Sequence, residues 1–340
     1  MLPDINSLLA DYMQTKRWMM IDTCVDTITV GHNLKIALAG FTARNEVGQI
    51  VAGSAGSINE NPELRARFEL LERMRVADAF INPNEFLLSK IDLDGSKLGW
   101  SSAFICFHSS PRPSLWTYAR SNGFSLHTHF GLAVNNAAFE LIERELILRS
   151  WAGKGVPQQI EDRQLMDGLQ GLSELYKIDA YSFGSLGWKE AGKEVFVRGF
   201  FLFPLVKDIP LCYGFGASDN KEQALMKAKD ECLQRLGFLW GEEIPKQEPE
   251  FAPNPQYHQE YYLYPEHHKK LKNWLLGKRT VSVKAGLEQI SIQLYKFDRN
   301  NEPTHLVYAT SEQVLPLAFG KATDLYGDLF DEDSLIHPVV

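Results

Sequence analysis

Cysteine is scarce in this 340-residue chain. There are four, Cys24, Cys106, Cys212 and Cys232, none in a Cys-x-x-Cys pair or another metal-ligand spacing. That argues against a disulfide-stapled fold and a thiolate zinc site, and scattered thiols point to a reducing compartment. Long hydrophobic runs are missing as well. The longest, residues 200–206, contains Pro204 and falls far short of the roughly 20 residues that span a bilayer. The first residues, Met-Leu-Pro-Asp-Ile-Asn, lack a basic stretch followed by an apolar core, so no secretory signal is expected. Basic residues are outnumbered, with a net charge of -8, which argues against a broad nucleic-acid footprint. No Gly-x-x-x-x-Gly-Lys-Ser/Thr occurs, which excludes a P-loop. The expectation is a cytoplasmic protein that binds neither membrane nor nucleic acid. With 44% hydrophobic and 23% charged residues, the chain has an ordinary globular composition.

The informative stretch runs from Ser121 to Trp151. Its first half is small and polar; its second half reads as a helix, with Ala133, Ala137, Leu141 and Leu148 at helical spacing. Glu140 and Glu143, three apart, share a face of that helix and are followed by Arg144. Such a pair is either a solvated face or half of a metal site. The pattern recurs. A glycine-serine segment at 53–57 precedes a helix with Glu69, Glu72 and Arg73, and a third at 214–220 precedes one with Glu231, Gln234 and Arg235. Each glycine segment is expected to be a turn. Internal recurrence of this kind is an architectural signal.

These three segments resemble the three signature motifs of the YcaO superfamily. Glu69-x-x-Glu72-Arg73 matches the first. Ser121-Asn122-Gly123, then Glu140-x-x-Glu143-Arg144 and Trp151, match the second. Gly214-x-Gly216-Ala217, Ala224-Leu225 and Glu231-Cys232-Leu233-Gln234-Arg235 match the third. The resemblance implies ATP and Mg2+ as cofactors and phosphorylation of a peptide amide oxygen, leading to azolines, thioamides or amidines. It implies Glu69, Glu72, Glu140 and Glu143 as magnesium ligands. Asn122, Arg73, Arg144, Glu231, Gln234 and Arg235 would line the nucleotide pocket. The end of the chain, His337-Pro338-Val339-Val340, is similar to the start of the tail whose terminal carboxylate serves as a base in many cyclodehydratases, which puts Val340 in a catalytic position; a frayed terminus is the alternative. The implied partners are a peptide or protein substrate, a separate substrate-binding protein and a second copy in a homodimer.

Some residues depart from the motifs. Arg65 stands four residues before Glu69, where a small hydroxyl residue is usual, and Phe124, Leu126, His127 and Phe130 make the second motif bulky. They support a competing reading: a YcaO-fold scaffold without turnover. A third reading is a metal-dependent hydrolase that uses the same carboxylates. His127 and His129, two apart, could share a strand face; no third zinc ligand lies at a matching spacing.

The fold class expected is α+β, with mixed sheets and glutamate-bearing helices from a pseudo-duplicated core. One domain is expected over 1–340: an N-terminal segment 1–50, a motif-bearing core 51–240, a linker or surface excursion 241–264 and a C-terminal part 265–340. Helices are predicted over 4–18, 161–175 and 266–276. Strands are predicted within 27–42, 49–52, 101–108, 180–186, 194–203, 211–214, 280–283, 288–297 and 304–309.

Overall fold

The structure is a computed structural model that describes residues 4–81, 87–102, 115–161, 169–278, 287–297, 303–330 and 334–339. Helix α1 (Ile5–Lys16) is capped by Asp4, whose carboxylate accepts the Asn6 N–H. Three antiparallel strands follow, β1 (Trp18–Val30), β2 (Leu34–Asn45) and β3 (Ile50–Ser57), and then helix α2 (Glu63–Ile81). The same plan returns later as β9 (Tyr176–Trp188), β10 (Lys193–Pro204), β11 (Cys212–Ser218) and helix α4 (Lys221–Leu239). Two meander-plus-helix units thus realise the expected duplication.

The middle motif is assembled differently. Strand β7 (Phe124–His127) leads into α3 (Phe130–Trp151), and β7 pairs with β14 (His305–Thr310), drawn from 180 residues further along the chain. Beyond β14 lie β13 (Gln293–Phe297), β4 (Leu87–Ile91) and β5 (Lys97–Ser102), which complete a five-stranded sheet. Of the remaining strands, β15 (Ala318–Gly320) pairs with β6 (Trp116–Tyr118), while β8 (Gln158–Gln159) and β12 (Gln289–Ile290) flank β9.

Two of the three glycine segments are not turns. Gly53 and Gly56 lie inside β3, and Gly214 and Gly216 inside β11. Their purpose is close approach. A Cβ on Gly53 would meet the Ala66 carbonyl oxygen of α2 at 2.3 Å, and one on Gly214 would meet the Ala228 carbonyl oxygen of α4 at 2.4 Å. Helix backbone therefore rests directly on strand backbone, which only glycine permits. Gly56 lies on the other face of β3, where a Cβ would meet the Gln234 Cα at 2.7 Å. The β1–β3 sheet is thus held between α2 on one face and α4 on the other. Only Gly123 matches the turn expectation, with φ +76 in the bend before β7.

Other boundaries moved too. Of the helix expected over 161–175, the described end is one 3-10 turn, Gln170–Leu172, and the chain is extended from Tyr176; its centre lies outside the described residues. So do the strand expected at 280–283 and all of 101–108 beyond Ser102, where β5 ends. Within 241–264, residues Pro255–Leu263 form helix α5, capped by Asn254 and started by Pro255, which suits a first turn. It buries Tyr257, Tyr261 and Tyr262, so these tyrosines belong to the core. Helix α6 (His268–Leu275) follows, and its Trp274 packs edge-on against Trp151 of α3. A short α7 (Thr323–Tyr326) precedes the tail.

Candidate active site

The glutamate at the head of each motif folds back onto the strand before its own helix. Glu69 accepts the Ser54 N–H at 2.7 Å, Glu140 the Gly123 N–H at 2.7 Å, and Glu231 the Phe215 N–H at 2.8 Å. Each also faces the arginine one turn on: Arg73 at 2.5 Å, Arg144 at 2.9 Å and Arg235 at 3.7 Å. One carboxylate oxygen is held by backbone and the other by guanidinium. The three motifs share a structural device as well as a spacing.

The second position of each motif reaches to a neighbouring motif. Glu72 of α2 accepts the Leu126 N–H of β7 at 2.6 Å. Gln234 of α4 accepts the Gly56 N–H of β3 at 3.2 Å and donates to the Ser54 carbonyl at 3.3 Å and hydroxyl at 3.1 Å. A carboxylate could not donate to the Ser54 carbonyl, which gives Gln234 a structural reason to be an amide. Glu143 of α3 occupies the equivalent place and is the exception. Among the described residues it has no hydrogen-bond partner.

The acids are close enough to resist one another's ionisation. Burial first, and then the charge of Glu140, push the Glu72 carboxyl from the ordinary 4.5 up to about 8. Burial and then Glu231 push Glu143 to about 8, against the pull of Arg144. Glu140 and Glu231 are also raised by burial, with Arg144 and Arg235 pulling the other way. Lys227, one turn before Glu231, is depressed by burial and opposed by Glu143 and Asp219; it donates to the Ala217 carbonyl at 3.1 Å. A half-buried group of hard oxygen donors that oppose one another's ionisation is chemically suited to Mg2+. Among the described residues no three acids, histidines or cysteines group closely enough to hold an ion by themselves. Any such ion would share its coordination with phosphate oxygens and water, the usual habit of magnesium.

The arginines are already engaged. Arg73 donates to the Ala52 carbonyl at 3.0 Å, and Arg144 to the Asn122 side-chain oxygen at 3.4 Å. Arg235 lies over the Tyr213 ring at 4.4 Å, and its Nη1 is buried without a hydrogen-bond partner. Arg65 donates to the Gly56 carbonyl. Cys232 is fully buried beneath Gly214 and packs, as expected of a structural thiol. His127 and His129 do not share a strand face: His127 ends β7, His129 precedes α3, and the His129 N–H donates to His127 Nδ1 at 2.9 Å.

Sequence reasoning missed Lys227, although its spacing of four from Glu231 was a legible signal. For the tail the frayed alternative is wrong over 334–339, which are all buried. His337 approaches the Ala318 carbonyl through Nε2 at 2.8 Å, and Trp151 Nε1 donates to the Ser334 carbonyl at 2.7 Å. Burial takes His337 down to about 4, and the charge of Arg144 adds to this. The tail therefore passes within electrostatic reach of the motif-two arginine. Val340 lies outside the described residues.

The family model for YcaO cyclodehydratase, ATP- and Mg2+-binding, matches residues 59–296. Among solved structures, YcaO from Methanopyrus kandleri bound with AMPPCP and Mg2+ is similar at TM-score 0.54 and 14% identity, covering 91% of this chain and 90% of that one. The E. coli microcin synthetase McbBCD complex is similar at TM-score 0.56 and 14% identity, covering 94% and 96%. A heterocyclase in complex with substrate and cofactor gives TM-score 0.50 at 12% identity, covering 98% of this chain and 56% of that chain. No curated protein sequence matches. At such identities the structures speak for the fold, and the family model, which covers more than half of the chain, speaks for membership. This protein belongs to the YcaO family of ATP- and Mg2+-binding enzymes.

Proposed function

We propose that the protein, acting as one domain, uses MgATP to phosphorylate a backbone amide oxygen of a peptide, so that a side-chain nucleophile closes onto the amide carbon. The observation that carries this reading is the convergence of five glutamates from three helices, with Glu143 uncommitted. Glu69, Glu72, Glu140 and Glu143 would hold the metal, and Glu231, Gln234, Asn122, Arg73, Arg144 and Arg235 would shape the nucleotide side. Magnesium would offset phosphate charge during transfer, as in other phosphoryl-transfer sites. The chain's own contribution is positioning. Four of the glutamates, Glu69, Glu72, Glu140 and Glu231, are fixed by backbone N–H groups, so the oxygen array is set before substrate arrives. ATP would supply the phosphoryl group that activates the amide oxygen, with ADP as the other product. A Cys, Ser or Thr of the substrate would then attack the carbon; its proton and the amide N–H proton are lost, and phosphate leaves with the former amide oxygen, so that the closed ring carries a C=N bond. Lys227, beside Glu143, is placed to meet phosphate charge. The C-terminal carboxylate of Val340 is the proposed proton acceptor, a role supported by the burial of residues 334–339 against the chain that carries the second motif, where Trp151 donates to the Ser334 carbonyl. A peptide-binding partner protein would present the substrate, and a homodimer is compatible with this reading.

The competing reading, a scaffold without turnover, draws on the closed Glu69–Arg73 and Glu140–Arg144 pairs, which satisfy those acids without a metal ion. Calorimetric titration with a non-hydrolysable ATP analogue separates the two. Magnesium-dependent binding that is lost in Glu143→Gln is the expected outcome. Absence of binding at millimolar analogue would refute the enzymatic reading. Peptide modification is then checked by mass spectrometry for loss of one water per ring, matched by ADP release.

A further inference from the structure

Strand β1 is an edge. Among the described residues it pairs with β2 alone, while β3 is clasped between α2 and α4. Residues 21–27 are exposed without a break. Met19, Ile21 and Val25 are 54%, 44% and 55% exposed. A long edge with apolar side chains is an unused template for another strand. Beside it lies a cavity of about 630 Å³, lined by Val25, Asp26 and Lys35, by Asn59 and Glu60 of the β3–α2 connection, and by Glu63. Glu63 faces Arg67 at 3.5 Å, whereas the Glu60 side chain has no hydrogen-bond or ion-pair partner among the described residues. Lys35 is the one cation among these lining residues, against three acids. The edge adds Asp22 and carries no basic residue between Trp18 and Val30.

From this we infer that the β1 edge and its adjoining acidic cavity recruit an extended, basic peptide segment by strand addition. The strand supplies main-chain hydrogen bonds and the cavity takes a Lys or Arg side chain, the division of labour seen in strand-addition binding generally. A second copy of the chain fits less well. Antiparallel self-pairing would bring the Asp22 and Asp26 carboxylates of both copies onto one two-stranded edge, where like charges repel. The inference rests on the peptide-modifying reading for its biological sense, though the binding itself needs no nucleotide.

The register fixes a distance. Cys24 is opposite Gly40, and Gly40 is opposite Ser54, whose N–H holds Glu69. Strands are about 4.8 Å apart, so an added strand would lie about 14 Å from β3. At about 3.3 Å per extended residue, at least about four or five residues separate the recruited segment from the modified one. The recruited segment is thus distinct from the reaction centre.

The test uses the full chain without nucleotide and two fluorescein-labelled synthetic peptides of alternating Val and Thr, one carrying two lysines and the other two glutamates at the same places. The lysine peptide should bind at least about tenfold more tightly in fluorescence anisotropy and slow hydrogen exchange of the β1 amides over 21–27. The double variant Asp22→Lys, Asp26→Lys should reverse the preference. Equal binding of both peptides, no binding of the lysine peptide, or binding without β1 protection would each overturn the inference. So would a dimer in sedimentation whose β1 amides are protected before peptide is added. Glu143→Gln should bind the lysine peptide like the wild type. If the wild-type chain binds the lysine peptide but no nucleotide, the enzymatic reading alone fails; if it binds nucleotide but not the lysine peptide, this inference alone fails.

Discussion

Glu143 should make the nucleotide-free protein less stable as pH rises. Its carboxyl is raised from 4.5 to about 8 by burial and by Glu231. Because the folded value lies above the unfolded one, the contribution of this group is full below pH 4.5 and is lost as pH rises through about 8. Each pH unit in that window is worth about 1.4 kcal/mol. Between about pH 5.5 and 8.5 the full effect would be about 3 kcal/mol, and relaxation and water entry reduce it to about 2 kcal/mol. Glu143→Gln keeps the shape and removes the charge. The variant should therefore gain about 2 kcal/mol on the wild type between those two pH values. For a chain of this length that is a Tm difference growing by about 3 °C, since unfolding entropy is about 2 cal/mol/K per residue. Thermal melts of both proteins without nucleotide measure it. A Tm gap that does not change between the two pH values would refute the reasoning, since Glu143 would then titrate in the same way folded and unfolded.

Two further outcomes follow from the same geometry. Because Glu72 and Glu143 are protonated near neutral pH in the free protein, with values of about 8, MgATP binding should release protons and tighten as pH rises from 6 to 8; calorimetry in buffers of different ionisation enthalpy counts them, and binding without proton release would contradict the coupling. Gly53→Ala should cost at least about 2 kcal/mol in urea unfolding, because its Cβ meets the Ala66 carbonyl at 2.3 Å, whereas Gly99→Ala, with nothing within 4 Å, should cost less than about 1 kcal/mol. Equal costs at the two sites would remove the close-packing account of β3 and α2.

The sequence by itself determined the three helices and the order of their acids. Glu-x-x-Glu/Gln-Arg is a local pattern: i,i+3 and i,i+4 spacing sets which side chains share a helix face, whatever the surroundings. The apolar periodicity of α2, α3 and α4 and the alternation of β2 are local in the same sense, whereas β1 before residue 27 was not read as a strand. Family membership could be read from the sequence for that reason. The glycines were legible as exceptional positions but not as strands, since a glycine that admits a helix looks in sequence like a glycine that makes a turn. Only the tertiary structure decided that β14 joins the middle motif, that Glu72 reaches β7 and Gln234 reaches β3, and that Glu143 is left without such a tie. The side-chain contacts among these span 54 to 180 residues of chain, and no local spacing encodes them. The raised carboxyls have the same origin. A glutamate's spacing fixes its face, but its ionisation depends on which other acids are folded against it and how much water they exclude.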